Sequence, residues 1–423
     1  MLKMRKMKDS GIEWIGEIPE GWETCLYKYC CSVQPGYPFD SAKFSNSSTD
    51  GFPLIRIRDI TSGEIQTYYT GEYPPNYIVT AGDLLVGMDG DFNVRWWNND
   101  AALLNQRCCR VTEKDSVLRR FLYYVLPFTL QHINTLTYAT TVKHLANGDI
   151  LNSFIAFPSL PAQQNIVHYL DTVCSEIDAM LSKTRSSIEE YKKLKQAVIT
   201  QAVTKGVRGE REMKDSGVEW IGEIPEEWGI SRIKYVSIFE PSCDFRKLTP
   251  ETIITYAPME CIKNGTFERR TSLYGNLAHT LTPFQDGDIV MAKVTPCFEN
   301  GNIAIMNELQ SGYGLGSSEL FVFRPQNINT KYLFYWLQNK LFVHQACATM
   351  TGTGGLKRIS PSFVKNCNIH YPPAAEQEEI ADYLDAKCTE IDKLIAKKEQ
   401  LVKELESYKK SLIYEVVTGK REV

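Results

Sequence analysis

Two short phrases of the chain are nearly identical and lie 206 residues apart. The segments 7–22 (MKDSGIEWIGEIPEGW) and 213–228 (MKDSGVEWIGEIPEEW) agree at 14 of 16 positions. A second repeat, at an offset of 214, aligns 163–204 with 377–418 without a gap and with 15 of 42 positions identical. The 423-residue chain therefore presents the same order twice, namely a short phrase, a long variable segment and a long repeated segment.

The repeated segments 163–204 and 377–418 carry apolar residues at alternating steps of three and four, which is the heptad pattern of a helix that buries one stripe. Neither segment contains Gly or Pro, and Gly206 and Gly419 follow them where helix C-caps are expected. Either stripe alone would face water, so the two helices are predicted to pack against each other. The predicted seam residues are Leu170, Cys174, Ile177, Leu181 and Ile188 in the first helix, and Leu384, Cys388, Ile391, Ile395, Val402 and Leu405 in the second.

The variable segments 23–160 and 229–373 differ in sequence, but each has short β-like runs and one aromatic helix-like stretch. This pattern predicts the same mixed α/β fold twice, with different side chains. One of the β-like runs, 53–60, would place Arg56 and Arg58 on the same strand face. The predicted organisation is a repeated segment (1–22), a domain (23–160), a helix (161–212), a repeated segment (213–228), a domain (229–373) and a helix (374–423).

Composition and motifs exclude several classes of function. The formal net charge of −4 permits but does not indicate nucleic-acid binding. The 12 cysteines form no Cys-x-x-Cys pair and the six histidines are scattered, so no metal site is predicted. No phosphate-binding loop, amino-methyltransferase motif or defensible nuclease motif is present. Because no apolar run approaches the roughly 20 residues of a membrane span and no signal peptide is recognisable, a cytoplasmic protein is expected.

The repeated motifs resemble those of the specificity subunit of type I restriction–modification systems. The resemblance rests on SGIEWIGEIPEGW and its copy, on the two helix starts LPAQQNIVHYLDTVCSEID and PPAAEQEEIADYLDAKCTEID, and on the helix ends KQAVITQAVTKG and KKSLIYEVVTGK. Two stretches of the second variable segment, GDIVMAKVTPCFENGN (287–302) and TGTGGLKRIS (351–360), are also similar to pieces of that family's target-recognition domains. The motifs occur in the family's order and cover essentially the whole chain.

The resemblance implies a non-catalytic subunit with two target-recognition domains, each reading one half of a bipartite, asymmetric sequence in double-stranded DNA. An antiparallel coiled coil would hold the two domains apart, and the internal repeat would have pseudo-twofold symmetry. Two methyltransferase subunits, and restriction subunits, would be the protein partners. S-adenosylmethionine, ATP and Mg²⁺ would bind to those partners, so no cofactor is expected on this chain.

Loops that follow strands are the expected DNA contacts, because there backbone can approach phosphate and side chains can reach base edges. The candidates lie mainly in 90–99 and 140–145 of the first domain, and in 292–302 and 351–360 of the second. They are Arg56, Arg58, Asn93, Arg95, Thr141, Lys143 and His144, and Lys293, Thr295, Asn300, Thr351, Thr353, Lys357 and Arg358. A surface turn at 351–360 and an ordinary surface histidine at His144 are the alternatives to DNA contact.

Trp14 and Trp220 occupy equivalent positions of the repeated phrase. Each could contact a partner subunit or pack against a helix end. At the level of the whole chain two other functions stay open, which are an enzyme that acts on DNA, such as a nuclease with unrecognised catalytic residues, and a coiled-coil scaffold without a role on DNA.

Overall fold

The computed structural model describes residues 5–136, 143–263, 265–278, 280–353 and 355–423. The chain forms two compact units. The first comprises Met1–Thr184 and Leu401–Val423, and the second comprises Arg185–Gln400. Each unit therefore contains one variable segment together with a part of both long repeated segments.

In the first unit, short strands alternate with helices. The strands are β1 (Met7–Asp9), β2 (Glu17–Pro19), β3 (Glu23–Leu26), β4 (Cys31–Pro35), β5 (Phe44–Ser45), β6 (Phe52–Ile55), β7 (Tyr68–Tyr69), β8 (Ile78–Val79), β9 (Leu84–Gly87), β10 (Val94–Trp96), β11 (Ala102–Leu104), β12 (Cys108–Glu113) and β13 (Phe154–Phe157). The helices are α1 (Tyr27–Cys30), α2 (Ile57–Ser62), α3 (Arg119–Leu136), α4 (Asn147–Leu151) and the first part of the long α5 (Leu160–Lys205), whose residues after Thr184 belong to the second unit.

Two main sheets of the first unit have the strand orders β10-β9-β12-β4 and β5-β7-β6-β11-β8. The pairing of β6 with β11 is parallel, while β12 is antiparallel to both of its neighbours. The buried side chains Leu84, Val86 and Val111 of β9 and β12 join a core that also contains Phe121 of α3 and Leu170 of α5. This core attaches the domain to the long helix.

The second unit repeats this arrangement. Its strands are β14 (Met213–Asp215), β15 (Glu223–Pro225), β16 (Gly229–Arg232), β17 (Ser237–Phe239), β18 (Ile253–Ala257), β19 (Ile262–Lys263), β20 (Thr266–Phe267), β21 (Arg270–Leu273), β22 (Thr282–Gln285), β23 (Ile289–Ala292), β24 (Ile303–Ile305), β25 (Tyr313–Gly316), β26 (Leu320–Pro325) and β27 (Asn368–Tyr371). Its helices are α6 (Ile233–Val236), α7 (Thr330–Trp336), α8 (Lys340–Ala348), α9 (Pro361–Asn366) and the first part of the long α10 (Ala374–Val417), whose residues from Leu401 belong to the first unit.

The sheets of the second unit run β17-β26-β23-β24 and β21-β18-β25-β22, again with one parallel pair, β18 and β25. Strands β17, β26, β23 and β24 therefore correspond in order to β4, β12, β9 and β10 of the first unit. The mixed α/β fold predicted twice from unlike sequences is confirmed.

The two predicted long helices are confirmed, and Gly206 and Gly419 follow them with φ of +79° and +71°, as C-capping glycines do. In the first helix all five predicted seam residues are buried, as are Leu384, Cys388 and Ile391 in the second. Ile395, Val402 and Leu405 are half-buried.

An ion pair joins α5 and α10 within each unit. In the second unit, Lys195 near the end of α5 lies 2.7 Å from Asp392 in the first half of α10. In the first unit, Asp178 in the first half of α5 lies 2.6 Å from Lys409 near the end of α10. In the second unit the ammonium of Lys398 also lies 5.7 Å from the centre of the Tyr191 ring. Contacts therefore move forward along α5 as they move back along α10, so the two helices are antiparallel in this unit. The two pairs exchange roles at the repeat offset of 214 residues, so equivalent positions of the two helices carry them.

Each domain contacts its long helix through equivalent residues. Asp171 of α5 accepts hydrogen bonds from Arg120 and Tyr124 of α3, with O–H···O at 2.5 Å for the tyrosine. The equivalent Asp385 of α10 accepts them from Lys331 and Tyr335 of α7, at 2.6 and 2.7 Å. Equivalent positions of the two long helices therefore bind their own domains through the same kind of contact.

Candidate nucleic-acid interface

In the second unit, the two loops that the sequence predicted as DNA contacts are hydrogen-bonded to each other. The backbone N–H of Ile359 donates to the carbonyl of Lys293 at 3.0 Å, and that of Thr295 donates to the carbonyl of Lys357 at 2.9 Å. The Thr295 hydroxyl donates to the Gly355 carbonyl at 2.9 Å and accepts the Lys357 backbone N–H at 2.9 Å. These bonds join the described parts of the two loops into one surface.

Arg358 lies within this surface and pairs with an acidic residue that the sequence did not indicate. Its Nε and Nη2 donate to the carboxylate of Glu319, with Nε–Oε2 at 2.9 Å and Nη2–Oε1 at 2.7 Å. The guanidinium holds the pKa of the Glu319 carboxyl below its usual range, mainly through these hydrogen bonds. The pair is therefore ionised near neutral pH.

The other predicted residues of the second unit differ in exposure. Lys293 is half-buried, with its ammonium 5.4 Å from the centre of the Phe321 ring. Thr295 is half-buried as well. The remaining predicted residues are exposed: Asn300, Thr351, Thr353, Lys357 and Arg358.

In the first unit, the residues around 88–90 and 143–145 are joined in the same way. The backbone N–H of Leu145 donates to the carbonyl of Met88 at 2.7 Å, and that of Gly90 donates to the carbonyl of Lys143 at 3.2 Å. His144, which is exposed, has its Nδ1 2.7 Å from Oδ1 of Asp89. Thr141, the remaining predicted residue of this loop, lies outside the described residues.

Asn93 and Arg95 follow the next turn of the first unit. The Asn93 side chain is exposed, while its carbonyl accepts the backbone N–H of Gly87 at 2.8 Å. The guanidinium of Arg95 donates to the carbonyls of Ile60 and Thr61 at the end of α2. A DNA contact by Arg95 would therefore have to share or replace hydrogen bonds that cap this helix.

The predicted strand placement of Arg56 and Arg58 is wrong. Strand β6 ends at Ile55, and α2 begins at Ile57 with Arg56 as its N-cap. The reason is Asp59, whose carboxylate accepts the backbone N–H of Arg56 at 2.8 Å and so starts a helix within an apparent β pattern. Both arginines are exposed, and Arg58 donates to the Thr67 hydroxyl at 2.9 Å.

The two surfaces share a backbone arrangement, which we call the strand-end frame. In the second unit the N–H of Lys293 donates to the carbonyl of Glu319 at 3.0 Å, and in the first unit the N–H of Met88 donates to the carbonyl of Arg107 at 2.9 Å. The frame therefore consists of Lys293, Glu319 and Ile359 in the second unit, and of Met88, Arg107 and Leu145 in the first. The sequence did not indicate Asp89, Arg107 or Glu319, because their contacts with these loops arise only in the folded chain.

Trp14 and Trp220 both pack at the edge of a core. Trp14 is half-buried, its carbonyl accepts the hydroxyl of Tyr414 at 2.9 Å, and its ring centre lies 6.4 Å from that of Tyr414. Trp220 is half-buried against the core of the second unit. An open cavity of about 440 Å³ adjoins Trp14, His132 and Tyr414. Trp14 thus packs on the end of α10, and a partner contact by either tryptophan stays a prediction.

Within the described residues, no group of three or more His, Cys, Asp or Glu side chains could hold a metal ion. All 12 cysteines are free thiols, and eight of them are buried. Among the helices of the described ranges, none is both long and apolar enough to cross a membrane.

The fold and the paired surfaces together define a class: a tandem protein in which one mixed α/β domain occurs twice on antiparallel helices, with the same loops bearing different side chains. The family model of the type I restriction modification DNA specificity domain matches residues 19–190 and 225–406, which is most of the chain. The chain belongs to this family.

Individual relatives agree with this assignment. The specificity subunit of the type I restriction enzyme EcoBI of Escherichia coli is 34% identical over 229 residues, covering 53% of this chain and 48% of that protein. The MjaVIII specificity subunit of Methanocaldococcus jannaschii is 24% identical, covering 95% and 93% of the two chains. The chain spans about half or less of the first curated relatives that it matches, with 48%, 27% and 27% of their lengths covered.

A solved structure described as the structural basis of complex assembly and conformational transition of a type I R-M system has the same fold. It superposes with a TM-score of 0.69 at 16% sequence identity, and the match covers 96% of this chain and 99% of that chain.

Proposed function

We propose that this protein is the DNA sequence-specificity subunit of a type I restriction–modification complex. Each domain would read one half of a bipartite, asymmetric target in double-stranded DNA. The single observation that carries the proposal is the strand-end frame, which occurs in both units but presents His144 in one and Arg358 in the other. A backbone arrangement that occurs in both units but carries different exposed side chains suits two domains that read different base pairs.

The chain itself is proposed to be non-catalytic and to act in the cytoplasm with its partners. Two methyltransferase subunits, and restriction subunits, would dock on the repeated parts of the chain, which are matched in the two halves. S-adenosylmethionine, ATP and Mg²⁺ would bind to those subunits. The family assignment and the relatives named as specificity subunits support the proposal that this chain recognises DNA while its partner subunits carry out catalysis.

The proposal is tested by co-purifying the chain with its methyltransferase subunit and selecting bound duplexes from a library of bipartite sites. We expect one enriched motif with two unlike half-sites, and the same motif should carry the modified bases in the host's methylome. No enrichment would favour a scaffold without a role on DNA. Reproducible cleavage or methylation by the isolated chain with Mg²⁺ and methyl donor would instead favour an enzyme.

Lys357 provides a variant that tests the assignment of the loop. Lys357→Ala should weaken binding to all sequences alike and lower the slope of log affinity against log salt by about 0.9 if the side chain contacts one phosphate. An unchanged affinity and salt slope would show that 351–360 does not contact DNA, whatever the rest of the complex does.

A further inference from the structure

We propose that Glu319 is a positioning residue that aims the guanidinium of Arg358 at a guanine in the DNA target. The inference rests on the proposed function and specifies one base, a guanine, of the DNA sequence that the second domain would recognise. Glu319 precedes β26, and its carboxylate reaches Arg358 from another part of the second unit, 39 residues away in sequence. The side chains are 30% and 49% exposed, so the pair lies at the surface with the arginine further out.

The backbone of Arg358 is held from both sides. Its N–H donates to the carbonyl of Thr351 at 2.8 Å, and its carbonyl accepts the N–H of Thr351 at 3.0 Å. On the other side, Val294 forms a β-bridge with Arg358, closed by the bonds of Lys293 and Thr295 described above. The start of this side chain is therefore fixed, which lowers the entropy lost when it binds a base.

Glu319 binds one edge of the Arg358 guanidinium, and the N–H groups that remain determine which base Arg358 can bind. The carboxylate takes Nε and one side of Nη2. The end of the fork, formed by Nη1 and the second proton of Nη2, has no partner within the described residues. Two parallel N–H groups at this end match the O6 and N7 acceptors that guanine presents in the major groove.

The charge of the pair favours a base over a phosphate as the target. Affinity for phosphates depends on the number of uncompensated cations, because binding is driven largely by counterion release. Glu319 neutralises the charge of Arg358 and would oppose such binding. A carboxylate that orients the fork without adding net charge is useful for base readout, where geometry rather than charge discriminates.

The first unit supplies an independent instance of the same device. His144 occupies the position of Arg358 next to the strand-end frame, and it is also paired with a carboxylate, at 2.7 Å. That carboxylate belongs to Asp89, which follows Met88, whereas Glu319 itself is a member of the frame. The acidic residue thus comes from a different backbone position in each unit but reaches the equivalent basic residue. In both units a carboxylate binds the equivalent basic side chain, although the two carboxylates come from different backbone positions. We infer that each carboxylate serves to orient that basic side chain.

The test uses the chain assembled with its methyltransferase subunit and duplexes carrying the target identified above. In each duplex one guanine is replaced by 7-deazaguanine, which lacks the N7 acceptor. With the native complex, one such replacement should weaken binding by roughly tenfold, within the range for half of a bidentate base contact. With Arg358→Ala the same replacement should have no effect.

Glu319→Gln keeps the shape of the side chain and removes its charge. We expect it to reduce the 7-deazaguanine effect toward that of Arg358→Ala, and to steepen the salt slope of non-specific binding by up to about 0.9, because Arg358 then adds an uncompensated charge. A purely structural role for Glu319 would move neither quantity in this way. The double variant should discriminate like Arg358→Ala alone.

Glu268→Gln is the matched control, since Glu268 also forms a two-bond pair with an exposed arginine of the same unit, Arg270. It should leave base discrimination unchanged, and melting temperatures will show that all variants fold. An equal 7-deazaguanine effect in native and Glu319→Gln complexes, or no sensitive guanine in the native complex, would overturn the inference while the proposed function stands. A complex that prefers no bipartite sequence at all would instead refute the proposed function.

Discussion

Replacing Gln163 by alanine should loosen the attachment of the first domain to its helix. The side chain is fully buried at the start of α5. Its Oε1 accepts the backbone N–H of Leu118 at 2.9 Å, and its Nε2 donates to the carbonyls of Ser116 and Pro158 at 3.0 and 2.8 Å. Gln163 therefore ties the segment before α3 and the end of β13 to the long helix.

The cost of Gln163→Ala follows from these three hydrogen bonds. Each buried hydrogen bond contributes about 1 kcal/mol net, so the free energy of opening at this site should fall by about 3 kcal/mol. The equivalent Gln377 accepts from Asn329 and donates to Pro372, at 2.8 and 2.9 Å, which makes two bonds. Gln377→Ala should therefore cost about 2 kcal/mol by the same reasoning.

Hydrogen exchange measured by mass spectrometry is the suitable assay, because a chain with two compact units need not unfold in a single transition. Gln163→Ala should speed exchange in the first turns of α3 by about 100-fold, which corresponds to about 3 kcal/mol. The control is Gln164→Ala, an exposed neighbour, which should change stability by less than about 0.5 kcal/mol. Equal effects of the two substitutions, or a larger effect of Gln377→Ala than of Gln163→Ala, would refute the reasoning.

Three further predictions concern the second unit. Burial lowers the pKa of His370 to about 4, so between pH 6.5 and 4 the unfolded chain binds a proton that the folded chain does not. The free energy of unfolding of this unit should therefore fall by up to about 3 kcal/mol as pH drops through this window. Hydrogen exchange in the second unit of His370→Gln, corrected for the intrinsic exchange rate at each pH, should lack that part of the pH dependence. Glu376 is the buried acceptor of the Trp228 indole N–H, 2.9 Å away, and of the Arg211 guanidinium. Glu376→Ala should therefore lower the free energy of unfolding of this unit by about 3 kcal/mol, measured by hydrogen exchange. Lys195→Glu places a second negative charge beside Asp392 and should lower the free energy of unfolding of this unit by about 1 kcal/mol, measured by hydrogen exchange. Asp392→Lys in the same chain should restore most of that loss.

The long helices were predictable because their signals are local and repeated. Seam residues recur over many turns, and a glycine follows each helix where the backbone turns to positive φ. The error at 53–60 has a local cause too. Alternating apolar and basic residues predicted a strand through Arg58, but the carboxylate of Asp59 caps the backbone N–H of Arg56 and begins a helix there. One capping hydrogen bond outweighed a short alternating pattern.

The candidate site was predictable only in part. Turn signals and basic residues pointed to 292–302 and 351–360, and these loops do join through backbone hydrogen bonds. The carboxylates that pair with the basic residues were not predictable, since Asp89 lies 55 residues from His144 and Glu319 lies 39 residues from Arg358. No local pattern connects positions so far apart, and the two carboxylates do not even correspond in an alignment of the halves.

This contrast separates what is fixed in the molecule from what can vary. Each domain is attached to its long helix by side chains at equivalent positions. Asp171 accepts the hydroxyl of a tyrosine in α3, and Asp385 accepts that of a tyrosine in α7. The strand-end frame, in contrast, is held by backbone groups, which every residue except proline supplies in full. Exposed side chains around the frame can therefore change without loss of the hydrogen bonds that hold it. The same fold can then carry an arginine paired with Glu319 in one unit and a histidine paired with Asp89 in the other. A strand-end frame that is repeated in both units is therefore compatible with the recognition of two different half-sites.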